Sequence, residues 1–254
     1  MTMTGPPKEL PLEVRQTLRA YLAEVTEIFG STLQALILYG SAARGDFLPG
    51  RSNLNLLLVL SDHNVQALKQ YGNMHRRWNR ERIVVPLILT LDELRRSLDV
   101  FPLEYFEIKE HHVVLAGRDP FPELDVPTRN LALQCEQELR RNLLRLRQRF
   151  VEGAGKPEAA AILLPLSLTA LLPCLRGLFR LLGYPVPVLA EALLKDCGER
   201  LGVDVTALQD VLNLKRGLIT PGPVELPRLF ERYSSAIQTL IEKVDELKMK
   251  GKLQ

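Results

Sequence analysis

The chain has 254 residues, 46% of them hydrophobic and 25% charged, with a formal net charge of +3. That composition excludes a disordered or fibrous chain and supplies enough apolar material for one large core or two smaller ones. The positive excess falls short of what a dedicated DNA-binding domain carries, so nucleic acid is not the expected partner.

Residues 1–11 are polar, with Gly5, Pro6 and Pro7 and no apolar signal region. A flexible start and a cytoplasmic location are therefore expected. Val14, Leu18, Leu22, Val25 and Ile28 repeat at helical spacing, which predicts a helix over 12–29 ended by Gly30. The apolar run 33–39 predicts a buried strand, and Gly40-Ser41 follows it directly. A second strand is predicted over 54–60, where the unbroken apolar run after Asn55 calls for burial on both faces. Asp62 is the expected cap of a surface helix over 63–80, rich in Lys69, His75, Arg76, Arg77 and Arg80. A third strand over 83–89 contains Pro86, which predicts an edge position or a bulge. Thr90 can cap a helix over 91–98, with Asp92 and Glu93 in its first turn and Arg95 and Arg96 near its end. The stretch 100–110 is ambiguous, and a short strand over 113–115 is stopped by Gly117.

From Pro127 onward the period is helical throughout. Cys135, Leu139, Leu143, Leu146 and Phe150 form one apolar stripe, and Arg140, Arg141, Arg145, Arg147 and Arg149 crowd the remaining surface. That arginine cluster reads as a solvated face, or as a phosphate or RNA surface if it lines a cleft. The run 159–175 is broken by Pro165, Ser167, Thr169 and Pro173 and closed by Arg176. It falls short of the roughly 20 clean residues of a membrane span, so a kinked, buried helix is expected and no membrane partner. Further helices are predicted over 157–182, 187–201, 205–214 and 227–250, with a firm turn at Pro221-Gly222-Pro223. Cys135, Cys174 and Cys197 are odd in number and widely spaced, and read as buried thiols of a reduced compartment. The expected organisation is a flexible segment 1–11, an α/β part over 12–125 and an all-helical part over 126–254.

The chemistry concentrates at Gly40-Ser41 and at Ser52-Asn53-Leu54-Asn55. A glycine after a strand lets the backbone approach a phosphate, and the serine adds a hydroxyl and an N–H. An acid pair at alternate positions of the next strand would point two carboxylates to one side, about 7 Å apart. Such a pair holds Mg²⁺ against the same phosphates. A Gly-Ser after a strand, by itself, is only a turn.

The spacing adds information. Gly40-Ser41, then Arg44-Gly45, then Ser52-x-x-Asn55 before an apolar strand resembles the signature of the polymerase-β-like nucleotidyltransferase superfamily. The resemblance covers about residues 12–120 and extends to the 86–91 strand–helix junction and the ending 114–120. It implies an α+β fold: a small mixed β-sheet nucleotidyltransferase domain flanked by helices, followed by an all-α helical-bundle domain. The helical half resembles the domains that accompany such enzymes, including aminoglycoside-modifying ones, by architecture only. The resemblance puts Gly40 and Ser41 at the nucleotide-phosphate turn and Ser52 before the acid pair, with Arg44 and Arg51 flanking as phosphate contacts or solvated loop arginines. It also puts Asn53 and Asn55 in the two acid positions. The third carboxylate comes from the next central strand, and residues 82–89 contain none.

Neutral amides offer carbonyl oxygens without the charge that holds a divalent ion, and no general base is evident. The expectation is a catalytically degenerate nucleotidyltransferase fold that binds a nucleotide or a protein partner, with no cofactor. The alternative is an active nucleotidyltransferase that uses Mg²⁺ with acids recruited from Asp46 or Glu104 to modify a small molecule or protein. A structural homo-oligomer with a closed pocket is a third reading, with the helical domain as the contact surface. Asp46 otherwise reads as a solvated loop or capping residue, Glu104 and Glu107 as surface or arginine-paired, His111-His112 as structural, and Trp78 as a packing anchor or a base-stacking ring. Helical partners of minimal nucleotidyltransferases can be ribonucleases with an Arg-x4–6-His motif. Every histidine here precedes position 113, so that activity is discarded.

Overall fold

Leu18, Tyr21, Leu22, Val25 and Phe29 bury one face of α1 (Leu12–Phe29), as their helical spacing requires. That helix packs on a four-stranded sheet in a computed structural model that describes residues 6–7 and 9–253. Most of the expected flexible start lies outside the described residues, and Leu10 is already part of the core. The chain divides into two compact units, Met1–Val126 and Pro127–Gln254. The architecture is α+β, a mixed sheet with helices in the first unit and helices throughout the second.

The sheet has the order β3-β2-β1-β4, with β1 at Leu33–Tyr39, β2 at Asn55–Leu60, β3 at Leu87–Thr90 and β4 at His112–Gly117. β1 runs antiparallel to β2 and β4, and β2 runs parallel to β3. Leu36, Leu38, Leu56, Leu58 and Leu60 face the core shared with α1 and α3 (Val65–Trp78). Ala35, Ile37, Leu57 and Val59 face the opposite core, with α4 (Leu91–Ser97), α5 (Pro102–Glu110) and Phe121. Apart from Gln34 on β1 and Asn55 at the start of β2, the central strands are therefore apolar, because both faces are covered.

Some boundaries differ from the sequence reading for local reasons. Asn64, and not Asp62, caps α3, accepting from the N–H groups of Gln66 and Ala67. β3 is shorter than expected: Pro86 cannot donate to a ladder, and an isolated bridge from Leu54 to Ile83 is all that precedes it. The strand lies at the sheet edge. The ambiguous stretch after residue 100 is α5, with Pro102 in its first turn. Thr90 and Glu93 form a reciprocal capping box at α4. Trp78 is a packing anchor: its ring meets Tyr21 edge-on at 5.7 Å, and its Nε1 donates to Glu24 at 3.0 Å.

In the second unit, α6 (Leu131–Glu152) and α7 (Pro157–Leu181) are joined where Asn142 Nδ2 donates to the Ser167 carbonyl at 2.8 Å. Tyr233, on α10 (Glu225–Met249), donates to Ser167 Oγ at 3.1 Å. α8 (Ala190–Leu201) and α9 (Thr206–Arg216) complete the unit. α7 is long and apolar enough to cross a membrane by length and composition. Leu164, Leu168, Leu171, Leu175 and Phe179 nevertheless make it a core helix. The expected burial is incomplete, since Ile162 and Leu166 near its start are 65% and 60% exposed. The arginines of α6 are partly neutralised in place: Arg140 pairs with Glu136 and Asp245, and Arg141 with Glu138.

This packing sets two expected outcomes. Gly117 has φ +87°, and a Cβ there would lie 1.9 Å from the Gln34 carbonyl oxygen. Gly117→Ala should cost about 2–4 kcal/mol in urea denaturation; an unchanged midpoint would contradict the close approach. Burial pushes the thiols of Cys135 and Cys197 up to about 12, and Cys174 is buried as well. All three should resist Ellman's reagent at pH 8 in the native protein and react once it is unfolded. Rapid native labelling would show that the second unit is open.

Candidate functional site

β1 ends at Tyr39, and Gly40 turns the chain with φ +77°. The next four residues form the short helix α2 (Ser41–Arg44). The Gly40 carbonyl accepts from the N–H groups of Ala43 and Arg44, each at 3.0 Å, which sets the first turn. Gly45, at φ +88°, closes it in the left-handed region. The loop that follows is held by Ser52: the Leu48 N–H donates to Ser52 Oγ at 3.0 Å, and the Ser52 N–H donates back to the Leu48 carbonyl at 2.8 Å. Ser52 is buried and Arg51 beside it is exposed.

Antiparallel pairing sets Tyr39 opposite Asn55. It also brings the Asn55 side chain over the turn, since a Cβ on residue 40 would lie 2.6 Å from Asn55 Nδ2. Glycine at 40 is thus favoured by the backbone angle, and a Cβ there would also displace the amide above it. Leu54 and Leu56 point into the core beneath α1, so alternation puts Asn53 and Asn55 on the other face, with Leu57 and Val59. Asn53 is exposed and Asn55 half-buried.

On the neighbouring strand, Leu87 lies opposite Leu57 and alternates with the core residue Ile88, so it shares the face of Asn55. Leu87 is 38% exposed and Val85, just before Pro86, is 67% exposed. The place from which a third carboxylate would come carries apolar side chains. Tyr39 continues the row on the other side, and His112 follows opposite it on β4. Burial, with Glu104 and Tyr105 nearby, pushes the Tyr39 phenol up to about 12. The two ring nitrogens of His112 face the Ile108 carbonyl at 2.8 Å and Asp119 at 3.0 Å, so this histidine has a structural setting.

Two acids on this side of the sheet pair with an arginine of α2, and a third, Glu104, lies near Tyr39. Arg44 reaches Glu107 on α5 at 3.0 Å and Asp46 at 3.5 Å. The three side chains are only 11%, 9% and 18% exposed. Asp46 is therefore shielded and not a solvated loop residue; it is ion-paired with Arg44, while its Oδ1 is buried without a hydrogen bond. Arg44 is bound up within the fold, and Ser52 spends its hydroxyl on the loop. Pairing puts Asn55 over Gly40 at one end of β1 and β2, with Ser41 next in the chain and Arg51 and Asn53 exposed on the loop that leads into β2. The Arg44–Glu107 partnership spans 63 residues, and no short-range signal in the sequence identifies it. A cavity of about 410 Å³ beside α2 is lined by Leu10, Pro11, Ala43, Arg44 and Phe47 among others, and Ser41, Asn53 and Asn55 do not line it.

A divalent ion of the kind such a fold uses would need carboxylates at Asn53 and Asn55 or close substitutes. The residues present do not fit it: two amides are neutral, and Asp46 and Glu107 share one guanidinium. Among the described residues, no three of His, Cys, Asp or Glu are grouped so as to hold a metal ion.

No family model matches the chain, and no curated protein matches it significantly. Among solved structures, the crystal structure of spectinomycin adenyltransferase AAD(9) from Enterococcus faecialis with ATP and spectinomycin is similar. The TM-score is 0.56 at 11% sequence identity, covering 88% of this chain and 98% of that one. At that identity the likeness shows the fold, that of a nucleotidyltransferase, and leaves catalysis and target to the residues themselves.

The ion cluster makes its own prediction. Glu107→Ala leaves Arg44 buried beside Asp46 alone and should cost about 3–5 kcal/mol in stability. Arg44→Met combined with Glu107→Leu should recover much of that loss, because both charges leave together. Equal losses for the single and double variants in urea denaturation would show that the pair is not coupled.

Proposed function

We propose that this nucleotidyltransferase-fold protein has lost nucleotidyl transfer and acts by binding a nucleotide at the turn formed by Gly40 and Ser41. The observation that carries this reading is the replacement of the acid pair by Asn53 and Asn55 while Asp46 and Glu107 are held by Arg44. Transfer would require the charge on the phosphates to be offset and an acceptor hydroxyl to be deprotonated. The phenol beside the turn does not serve as that base, since Tyr39 is pushed up to about 12 and keeps its proton at neutral pH.

Binding asks for less. Ser41 contributes its hydroxyl and N–H beside the Gly40 turn, and the Asn55 amide that lies over that turn donates to a phosphate set there. Asn53 and Asn55 contribute amide donors, and Arg51 is exposed on the adjoining loop. ATP is the first nucleotide to test, because the structural neighbour was crystallised with it. Transfer by recruited acids would have to use Glu104, which lies near Tyr39, together with Asp46, which pairs with Arg44. That makes it the weaker reading.

Calorimetric titration with ATP, GTP, CTP and UTP should show saturable binding of at least one. Incubation with the labelled nucleotide and hydroxylated acceptors should give no transfer. Mg²⁺-dependent transfer at ordinary turnover would overturn the proposal. Asn53→Asp combined with Asn55→Asp should create divalent-ion affinity that the natural chain lacks, read as a Mn²⁺ signal by electron paramagnetic resonance.

A further inference from the structure

We infer that the first unit carries a proton-sensitive latch: the hydrogen-bond chain Tyr21–Tyr71–His75 fastens α3 to α1 while His75 is neutral and is broken when His75 takes up a proton. The latch lies in the core on the α1 side of the sheet and does not depend on the nucleotide-binding reading.

Tyr21 on α1 and Tyr71 on α3 are 0% and 3% exposed. Their hydroxyl oxygens are 2.8 Å apart, and the Tyr71 oxygen is 3.3 Å from His75 Nδ1. Trp78 packs edge-on against the Tyr21 ring and Phe29 against the Tyr71 ring. Among the described residues, no other group engages either hydroxyl. Burial pushes both phenols up, Tyr71 to about 12, so each keeps its proton at neutral pH.

Two hydroxyl protons must therefore be placed along one line. With His75 neutral and its proton on Nε2, Tyr21 donates to Tyr71 and Tyr71 donates to Nδ1, so both are satisfied. A proton on Nδ1 reverses the line. The imidazolium donates to Tyr71, Tyr71 donates to Tyr21, and the Tyr21 proton at the closed end has no acceptor. A buried donor left without a partner costs more than the bond itself contributes. His75 is half-buried at the open end of the line, where solvent supplies the proton.

The surrounding charges act in the same direction. Helical spacing sets Glu24 of α1 on the side of Tyr21 that faces α3, where it accepts from Arg77 and from Trp78 Nε1. Arg76 and Arg77 follow His75 on α3, and Arg80 and Glu81 lie on the turn after it. The sheet beneath contributes leucines. The one acid facing α3 is thus already paired, and the excess is cationic. Burial also lowers the His75 pKa. A histidine whose folded pKa lies below its unfolded value binds protons more readily when the chain is unfolded. Stability is then complete above the unfolded value and is lost as pH falls through it.

The test is a nuclear magnetic resonance titration of the full chain carrying isotope-labelled histidine, with the His75 signal identified by its loss in His75→Gln. The expected result is the Nε2–H tautomer at neutral pH and a pKa below the ordinary histidine value. Tyr21→Phe combined with Tyr71→Phe removes both hydroxyls and keeps the rings. It should return the His75 pKa toward the ordinary value and lessen the fall in urea midpoint between about pH 8 and pH 5. An Nδ1–H tautomer in the natural chain, or a pKa at or above the ordinary value, would overturn the latch without recourse to a variant. An unchanged His75 pKa in the folded double variant would also overturn it, since burial alone would then account for the titration.

Discussion

The antiparallel pairing of β1 with β2 is the constraint on which the rest of the first unit depends. It places Tyr39 opposite Asn55, so both strands reach the same end of the sheet. Because side chains alternate, the register decides which residues enter the core beneath α1 and which face away. A slip of one residue would carry Asn55 into the core beneath α1 and exchange Leu56 and Leu58 for Leu57 and Val59 between the two cores. Burying the Asn55 amide without a partner is what makes that slip costly. The Gly40 turn fits because its neighbour across the pairing is an amide lying over the backbone.

Charge is distributed around this frame in an unusual way. Asn53 and Asn55 are neutral, and two acids, Asp46 and Glu107, are drawn to a cation on α2. Arg44 joins the turn to α5 through Glu107 and to its own loop through Asp46. This links the sheet end, the short helix and the helix packed on the opposite face. The cluster serves rigidity: it orients the loop that Ser52 closes and keeps three ionisable groups away from solvent. What faces outward from β2 is hydrogen-bonding but uncharged.

Much of the fold is legible in the sequence because periodicity reports burial. The spacing in α1 and the apolar runs of β1 and β2 locate their elements within a residue or so. α5 is not legible because its apolar and charged residues follow no helical stripe, and its identity rests on tertiary packing through Leu103, Tyr105 and Ile108. At the site, the turn and the two asparagines can be read directly. The engagement of Arg44 cannot, since an arginine beside a glycine loop looks the same whether it meets phosphate or a glutamate 63 residues away. The role of Ser52 is hidden for a similar reason: its partner is a backbone N–H, which leaves no mark on composition.

The Arg44 cluster also bears on how such a chain can change over generations. An aspartate at position 55 would add a negative charge opposite Tyr39, near Glu104, while Asp46 and Glu107 stay paired with Arg44. The apolar strand opposite offers no help, because Leu87 and Val85 would have to change as well. A divalent site at this end of the sheet would therefore take more than one substitution, because the two acids on Arg44 are already committed to an ion pair.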